Sequence, residues 1–427
     1  MVELLIAMAV GLFLMGGILQ MFVASKASYR LGEAEARAQE NGRFATQMIA
    51  ADLRAARGTG CRSMVLDVAQ KSLSVVACDL LDPQGGQTGC AGDPAIGPDR
   101  PLGYASSQGG TTGWLAGLSG TDTDGTFGAE YAVGQQWLRG DVIVTWGADG
   151  EGVYAALPLP SQESDRARPV ELVDADRDLT GGRLALISDC EATDIFAITN
   201  PRTCQGGDLP APTSLQHAVT YDGDGSPDGC DSDQAGNQAN VSGVLSRAYN
   251  RMGSDSSPGA TLRARAFPFE YSVYYVCCID NRDGAVQGGG NRANCTSAPD
   301  RYRPGLCRWS TSTIPRAQSL VSDVADLRVI YDGDADPVSG TRFLDLDGVT
   351  PDAAWVSQQG YWDRVDSARI QILSTAAEEV RTEAALPAPE ASDPGDLGYR
   401  LPADRRIYQS FDVTVAIRAS SPWFVQQ

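Results

Sequence analysis

The first 57 residues contain a long apolar run that continues into a charged, alanine-rich stretch. No charged residue occurs in the 22 positions between Glu3 and Lys26. As a helix this run would be about 33 Å long, which is enough to cross a hydrocarbon core of roughly 30 Å. The helical pattern then continues to Arg57, and Gly58 is a typical stop. We therefore predict one helix over residues 1–57, whose first half spans a membrane and whose second half projects beyond it.

Glu3 is an unusual residue for the start of an apolar helix. A secretory signal peptide would carry basic residues there, so the run is not typical of one. A charge at mid-membrane costs about 2.5–3.5 kcal/mol. Glu3 therefore either lies at the membrane interface, as in an ordinary single-pass anchor, or pairs with a cation inside an assembly. The residues alone leave both alternatives open.

The second half of the predicted helix carries a stripe of apolar residues at helical spacing. We expect this stripe to pack against the rest of the protein and so to join the helix to it. The stripe comprises Phe44, Met48, Ala51 and Ala55, widened by Ile49 and Leu53.

Beyond residue 57 the pattern changes to short runs that alternate with period two. The clearest run extends from Phe411 to Ile417, with apolar side chains at the odd positions, and it is typical of a half-buried antiparallel strand. Residues 317–326 are expected to begin as a short helical turn. Further strands are predicted at 142–146, 184–187, 195–198, 271–279 and 365–373. Segments rich in Gly, Pro, Asp, Asn and Ser predict long surface loops at 161–170, 222–257, 280–304 and 385–402.

Length and charge narrow the function classes. The helix leaves about 370 of the 427 residues, enough for one large or two modest domains. The net charge is −20, and Lys26 and Lys71 are the only lysines. Nucleic-acid surfaces usually carry a basic stripe, so we expect no nucleic-acid partner.

Ten cysteines follow the helix. Zinc binding is poorly supported, because the chain has no Cys-x-x-Cys pair and His217 is its only histidine. We therefore predict disulfides in an oxidising compartment. The connectivity stays open. Short intervening segments favour Cys61–Cys78, Cys190–Cys204 and Cys295–Cys307, and adjacent Cys277 and Cys278 would point to opposite faces of a strand. The cysteines are Cys61, Cys78, Cys90, Cys190, Cys204, Cys230, Cys277, Cys278, Cys295 and Cys307.

Two acidic segments suggest a calcium hypothesis. The second segment, residues 332–336, begins like an EF-hand loop. However, Pro337 stands where that loop has its turn glycine, and Phe343 stands where it has its bidentate glutamate. Solvated turn aspartates are the alternative. An unchanged melting temperature after removal of divalent ions with EDTA would exclude calcium. The first segment has carboxylates at a spacing that can surround a hard cation, on Asp222, Asp224 and Asp228.

Catalysis has little support in the residues. A nucleophilic hydrolase needs a base beside its serine or cysteine, and the chain offers His217 alone and no Gly-x-Ser-x-Gly elbow. Carboxylate pairs for glycoside chemistry stay open, because 54 acidic residues always offer pairs. We expect a protein that is not an enzyme and that requires no cofactor.

Motifs in the helix and in the strands carry a family resemblance. The helix opens Met-Val-Glu-Leu-Leu-Ile-Ala-Met-Ala-Val-Gly and later contains Gln39-Glu40-Asn41-Gly42-Arg43-Phe44-Ala45 and Asp52-Leu53-Arg54. The strand region adds segments at 139–144, 189–196, 274–276, 324–331 and 405–411. Together these segments resemble the minor pilins of type IV pili, and most of all the PilW family.

This resemblance implies an α+β fold. A long membrane-spanning helix, residues 1–57, would pack on a β-rich, mainly antiparallel, disulfide-stabilised head, residues 58–427, with a further boundary near 205–265 left open. In a Gram-negative bacterium the helix would sit in the inner membrane with a periplasmic head, and assembly would move the subunit into the pilus at the cell surface.

The resemblance also implies the partners. Glu3 would pair with the N-terminal amine of a neighbouring subunit. Other minor pilins, the major pilin and a large tip adhesin would be the partners, in a complex that primes assembly or forms the pilus tip. The remaining candidate interface residues are Leu4, Leu5, Ile6, Phe13 and Leu14.

One departure from the family pattern concerns the start of the chain. Prepilins of this kind carry a short basic leader, and their glutamate lies four residues after the processed N-terminus. Only Met1 and Val2 precede Glu3 here, so we expect the natural protein to begin further upstream. Two alternative functions stay open: a type II secretion minor pseudopilin of the J type, and a membrane-anchored calcium-binding or adhesive ectodomain.

Overall fold

The computed structural model begins with one long helix, α1 (Val2–Ala55), of 54 residues. It confirms the predicted helix over that range. The structure describes residues 2–56, 72–77, 104–105, 137–150, 152–156, 166–174, 178–189, 192–200, 213–220, 239–249, 264–287, 294–298, 301–310, 317–336, 339–346, 348–359, 361, 364–377, 379 and 405–417.

The face that α1 buries differs from the predicted stripe. Phe44 is 51% exposed, and Ala51 and Ala55 are also exposed. Ile49 and Leu53, expected only to widen the stripe, are fully buried. The prediction followed helical spacing alone, whereas close packing on a sheet selects small residues beside a few large ones. The buried face consists of Ala38, Gly42, Ala45, Thr46, Ile49, Ala50, Leu53 and Ala56.

Strands dominate the rest of the described chain. A 3₁₀ turn covers Phe343–Asp345. The elements after α1 are, in chain order, β1 (Ser72–Val75), β2 (Tyr104–Ala105), β3 (Trp137–Ala148), β4 (Val153–Tyr154), β5 (Val170–Glu171), β6 (Leu184–Ser188), β7 (Ala192–Ala197), β8 (Ser214–Leu215), β9 (Arg265–Asp280), β10 (Val286–Gln287), α2 (Asn294–Ser297), β11 (Tyr302–Ser310), β12 (Ala317–Ser322), β13 (Val324–Asp336), β14 (Thr341–Arg342), α3 (Ala353–Gln359), β15 (Val365–Thr375) and β16 (Tyr408–Ala416).

A large sheet is built around β9. The first residues of β9 pair with β4 and β6, and the remainder pairs with β3 and β11. The main order is β1-β7-β6-β9-β11-β12, with β2 beside β3 and β10 beside β9. Among these pairs only β1 with β7 is parallel. A small sheet has the order β14-β13-β15-β16 and is antiparallel throughout. The predicted α+β fold with a mainly antiparallel head is confirmed.

The predicted strands coincide with parts of β3, β6, β7, β9, β15 and β16, although the predictions at 195–198 and 411–417 each extend one residue beyond the strand. The helical turn predicted for 317–326 is wrong, because β12 and the start of β13 occupy that range. Asp323 joins them with φ 61°, in the left-handed region, so two strands meet in a sharp bend. The predicted loops are more structured than expected, since β10 and α2 lie within 280–304 and Asn240 within 222–257 is fully buried. The loop 385–402 lies outside the described residues.

The core continues from the large sheet to the helix. One face of β9 contributes Tyr271, Val273 and Tyr275 to a cluster with Trp146 and Trp309. Its other face belongs to a second cluster that includes both the small sheet and α1. A third cluster surrounds β6 and β7. The second cluster makes the helix a structural part of the head, through Tyr274 and Val276 of β9, Ile370 and Ile372 of β15, and Ala45, Ile49 and Leu53 of α1.

Two disulfides join β9 to neighbouring segments. Cys277 pairs with Cys307, and Cys278 pairs with Cys295, each with Cα atoms 5.8 Å apart. The two adjacent cysteines thus have different partners, as expected for opposite faces of a strand. The predicted pair Cys295–Cys307 is wrong. The register of β11 on β9 sets Gly305 opposite Cys277, which brings Cys307 to the same face, while α2 brings Cys295 to the other. The other six cysteines lie outside the described residues, so their pairing stays a prediction.

Candidate assembly helix and its junction with the head

The first half of α1 projects away from the head with its apolar side chains exposed. Ile6, Phe13 and Leu14 are 59%, 89% and 65% exposed, and Glu3 is exposed as well. Leu4 and Leu5 lie in the same helix. Among the described residues, α1 is the one helix long and apolar enough to cross a membrane. An exposed apolar surface of this size is typical of a helix that contacts a membrane or other apolar helices.

The second half of α1 meets the small sheet through small side chains. It packs mainly on β15 and β16. At Gly42 the ring of Phe411 from β16 lies where a Cβ atom would be, so a side chain at that position would overlap the ring. Thr46 donates its hydroxyl hydrogen to the Gly42 carbonyl oxygen over 2.5 Å. Gly42 is therefore a position of close approach between the helix and β16, the last described strand.

A polar cluster joins the end of α1 to the large sheet. The Tyr274 hydroxyl of β9 donates a hydrogen bond to the Asp52 carboxylate. Arg308 of β11 lies 3.9 Å from Asp52 and 3.7 Å from Glu270. Glu270 also accepts a hydrogen bond from the Ser310 hydroxyl at 2.7 Å. Burial raises the pKa of Asp52 above its ordinary value, although the bond from Tyr274 opposes this.

A second polar cluster joins the two sheets. Gly140 of β3 has φ 82°, and a Cβ atom there would lie 2.8 Å from the Leu327 carbonyl oxygen of β13. The adjacent Asp141 accepts a hydrogen bond from the Val329 amide at 2.9 Å. Arg328 lies 4.0 Å from Asp141 and 3.3 Å from Asp326. Burial raises the pKa of Asp141 to about 7 against the attraction of Arg328, and it raises the pKa of Asp326 as well.

The acidic segment 332–336 contacts the side chain of Arg342. It forms the end of β13, and the Arg342 guanidinium lies between its carboxylates. Arg342 is 2.8 Å from Asp332, 2.6 Å from Asp366 and 3.5 Å from Asp334. A side-chain cation thus lies among these carboxylates, and calcium binding by this segment stays a prediction. Within the described ranges, no group of three or more His, Cys, Asp or Glu side chains could hold a metal ion. The first segment, Asp222, Asp224 and Asp228, lies outside those ranges and stays a prediction.

His217 has a packing role. Its ring is buried edge-on against Phe196, and its Nε2 lies 2.8 Å from the carbonyl oxygen of Arg168. Burial lowers the pKa of His217, so the neutral ring is favoured. This environment is that of a core histidine whose polar atom is satisfied by the backbone.

A family model matches the C-terminal part of the chain. The family is described as Type IV Pilus-assembly protein W, PilW, and the match covers residues 291–419. The resemblance to the PilW family is confirmed. The matched range contains the whole small sheet and Phe411, which contacts α1. No curated protein and no solved structure matches the chain.

The PilW match supports a role related to type IV pilus assembly. Of the segments that carry the resemblance, 324–331 and 405–411 lie inside the match. The helix motifs and the segments at 139–144, 189–196 and 274–276 lie outside it. The contacts of Gly42 with Phe411 and of Asp52 with Tyr274 nevertheless connect the helix motifs to strands of the head.

Sequence reasoning missed several residues of this junction. Gly42 and Asp52 belong to the helix motifs, but the sequence alone predicts no structural role for them. A glycine within a strongly helical stretch is a signal for close approach, because glycine costs a helix about 1 kcal/mol relative to alanine. For Tyr274, Arg308 and Asp141 the sequence gives no comparable signal, since their contacts depend on strand register.

Proposed function

We propose that this chain is a minor pilin that is not an enzyme. Its α1 helix packs into the core of a type IV pilus, and the subunit helps to prime assembly or to form the tip complex. The supporting observation is the division of α1 into two halves: apolar side chains are exposed along the first half, and the second half is built into the core of the head. The PilW match supports the same class of assembly.

The proposal gives the exposed half two successive environments. Before assembly, residues 4–25 lie in the inner membrane with the head in the periplasm. After assembly, the same side chains contact helices of other minor pilins and of the major pilin, at the cell surface, and a large tip adhesin completes the complex. In either environment apolar burial stabilises the helix, since each fully buried large apolar side chain contributes about 1.5–3 kcal/mol.

The test is the substitution Glu3→Ala in the full chain. In this proposal Glu3 pairs with the protonated N-terminal amine of a neighbouring subunit, and opposite charges attract strongly in an apolar filament core. Loss of this ion pair is expected to reduce the number of assembled pili about tenfold or more. Pili are counted by electron microscopy, and co-purification with other minor pilins is measured from the same membranes. The control is Glu40→Ala, which removes an exposed carboxylate further along α1.

Unchanged pilus number together with unchanged co-purification for Glu3→Ala would reject the assembly function. Co-purification with secretion components in place of pilus components would favour the J-type pseudopilin. A chain that stays monomeric in the membrane and responds to EDTA would favour the calcium-binding ectodomain.

A further inference from the structure

The polar cluster at the end of α1 lies far along the helix from Glu3. Residue 52 is separated from Glu3 by 49 positions of one uninterrupted helix, a distance of about 74 Å at 1.5 Å per residue. A tilt of about five degrees at the junction would move Glu3 by about 6 Å. Small errors at the junction are therefore amplified at the end of the helix that contacts other subunits.

Apolar packing alone fixes the direction of α1 poorly. Ala45, Ala50 and Ala56 present small side chains to the sheets, and apolar contacts have little directional preference. A hydrogen bond is directional, because its strength falls steeply away from a linear geometry. The bond from the Tyr274 hydroxyl to Asp52 thus adds an orientation that the apolar contacts do not supply.

The acceptor of this hydrogen bond lies on α1, and the donor lies on the large sheet. Tyr274 lies on β9, and Arg308, 3.9 Å from Asp52, lies on the adjacent strand β11. The same two strands are covalently joined by Cys277–Cys307, close to both residues. Gly42 meets Phe411 about 15 Å away along the helix axis, ten residues earlier. Two separated points of attachment define an axis, whereas one would leave the helix free to pivot.

We propose that Asp52 and Tyr274 are positioning residues: their contact fixes the rotation and tilt of α1 on the head, and so determines which face of the exposed half meets neighbouring subunits. This inference rests on the proposed function and adds to it the residues that set subunit orientation. An acceptor at position 52 is required and a charge is not, because a tyrosine hydroxyl can donate to a carboxylate, a carboxylic acid or an amide oxygen. The burial that raises the pKa of Asp52 fits this requirement, since it favours the neutral form.

The experiment compares variants of the full chain in native membranes. Tyr274→Phe removes the donor, Asp52→Leu removes the acceptor, and Asp52→Asn keeps an acceptor without the charge. Two quantities are measured: the amount of subunit whose head resists protease, and co-purification with other minor pilins per resistant subunit. Tyr275→Phe is the matched control, because it also removes a hydroxyl from β9 but from the opposite face of the sheet.

We expect Tyr274→Phe and Asp52→Leu to lower co-purification per resistant subunit about threefold to tenfold, which corresponds to about 0.7–1.4 kcal/mol. The double variant should lose no more than either single one. Asp52→Asn and Tyr275→Phe should assemble like the unchanged chain.

If co-purification with other minor pilins falls only in proportion to the amount of protease-resistant subunit, the inference is overturned. A contact that only stabilises the fold predicts that result. Failure of Asp52→Asn to assemble would overturn it too. The outcome is separable from the proposed function: if Glu3→Ala abolishes assembly and Tyr274→Phe does not, only the positioning role is lost.

Discussion

Replacement of Gly42 by alanine is expected to loosen the junction between α1 and the head. The new methyl group overlaps the Phe411 ring. Overpacking typically destabilises a fold by up to about 3 kcal/mol, and this overlap is severe enough for the upper value to apply. Alanine favours a helix by about 1 kcal/mol relative to glycine, so the net loss in the free energy of unfolding is about 2 kcal/mol. Chemical denaturation of the full chain in detergent, followed by the fluorescence of the buried tryptophans of the head, measures the loss.

The chain offers a matched control on the same helix. Gly32 has no atom within 4 Å of its hypothetical Cβ, so Gly32→Ala is expected to stabilise the helix by about 0.5–1 kcal/mol. A second variant, Phe411→Leu in the Gly42→Ala background, should restore part of the loss by opening space. If Gly42→Ala proves as stable as the unchanged chain, the close approach of Phe411 to the helix is not a determinant of the junction.

Elements with a strong local pattern could be predicted from the sequence. The helix that ends at Ala55 follows from the charge-free run and its alanine-rich continuation, and β16 follows from the alternation beginning at Phe411. The strand β9 extends well beyond the predicted 271–279, because its first residues, Arg265 to Pro268, pair with β6. Pairing between distant segments sets strand ends, and a local pattern does not contain it.

The buried face of α1 shows a limit of pattern reasoning. Periodicity predicts one wide stripe that includes both Phe44 and Ile49. The structure buries only the edge of this stripe that carries Ile49 and Leu53. Gly42 would have identified the correct face, since a sheet can approach a helix closely only where side chains are absent or small. The side chain of Phe44 stays exposed.

Residues whose roles depend on register could not be predicted. Cys307 pairs with Cys277 because β11 lies antiparallel to β9 with Gly305 opposite Cys277. Segment length alone favoured Cys295 as its partner, which the register excludes. Likewise Asp332 looked like a cation ligand in sequence, and only the fold brings Arg342 to it.

Substitution of Asp141 is expected to change strongly how the stability of the head depends on pH. Its pKa is raised to about 7 from 3.8, so between about pH 4 and 7 the folded chain binds more protons than the unfolded chain. Stability therefore falls as the pH rises through this window, by about 1.4 kcal/mol per unit at most. Asp141→Asn keeps an oxygen that accepts the Val329 amide and removes the charge. We expect this variant to gain about 2–4 kcal/mol over the unchanged chain at pH 8 and to show no advantage at pH 4.

Denaturation at several pH values, with the variant and the unchanged chain compared at each, isolates the contribution of Asp141. The comparison is needed because burial raises the pKa of Asp52, Asp149 and Asp326 in the same direction. Asp174→Asn, at an exposed position, is the control and should leave the pH dependence unchanged. A constant difference between Asp141→Asn and the unchanged chain from pH 4 to pH 8 would contradict the prediction. Arg328 would then neutralise Asp141 throughout, and the joint between β3 and β13 would be an ion pair that acidification weakens.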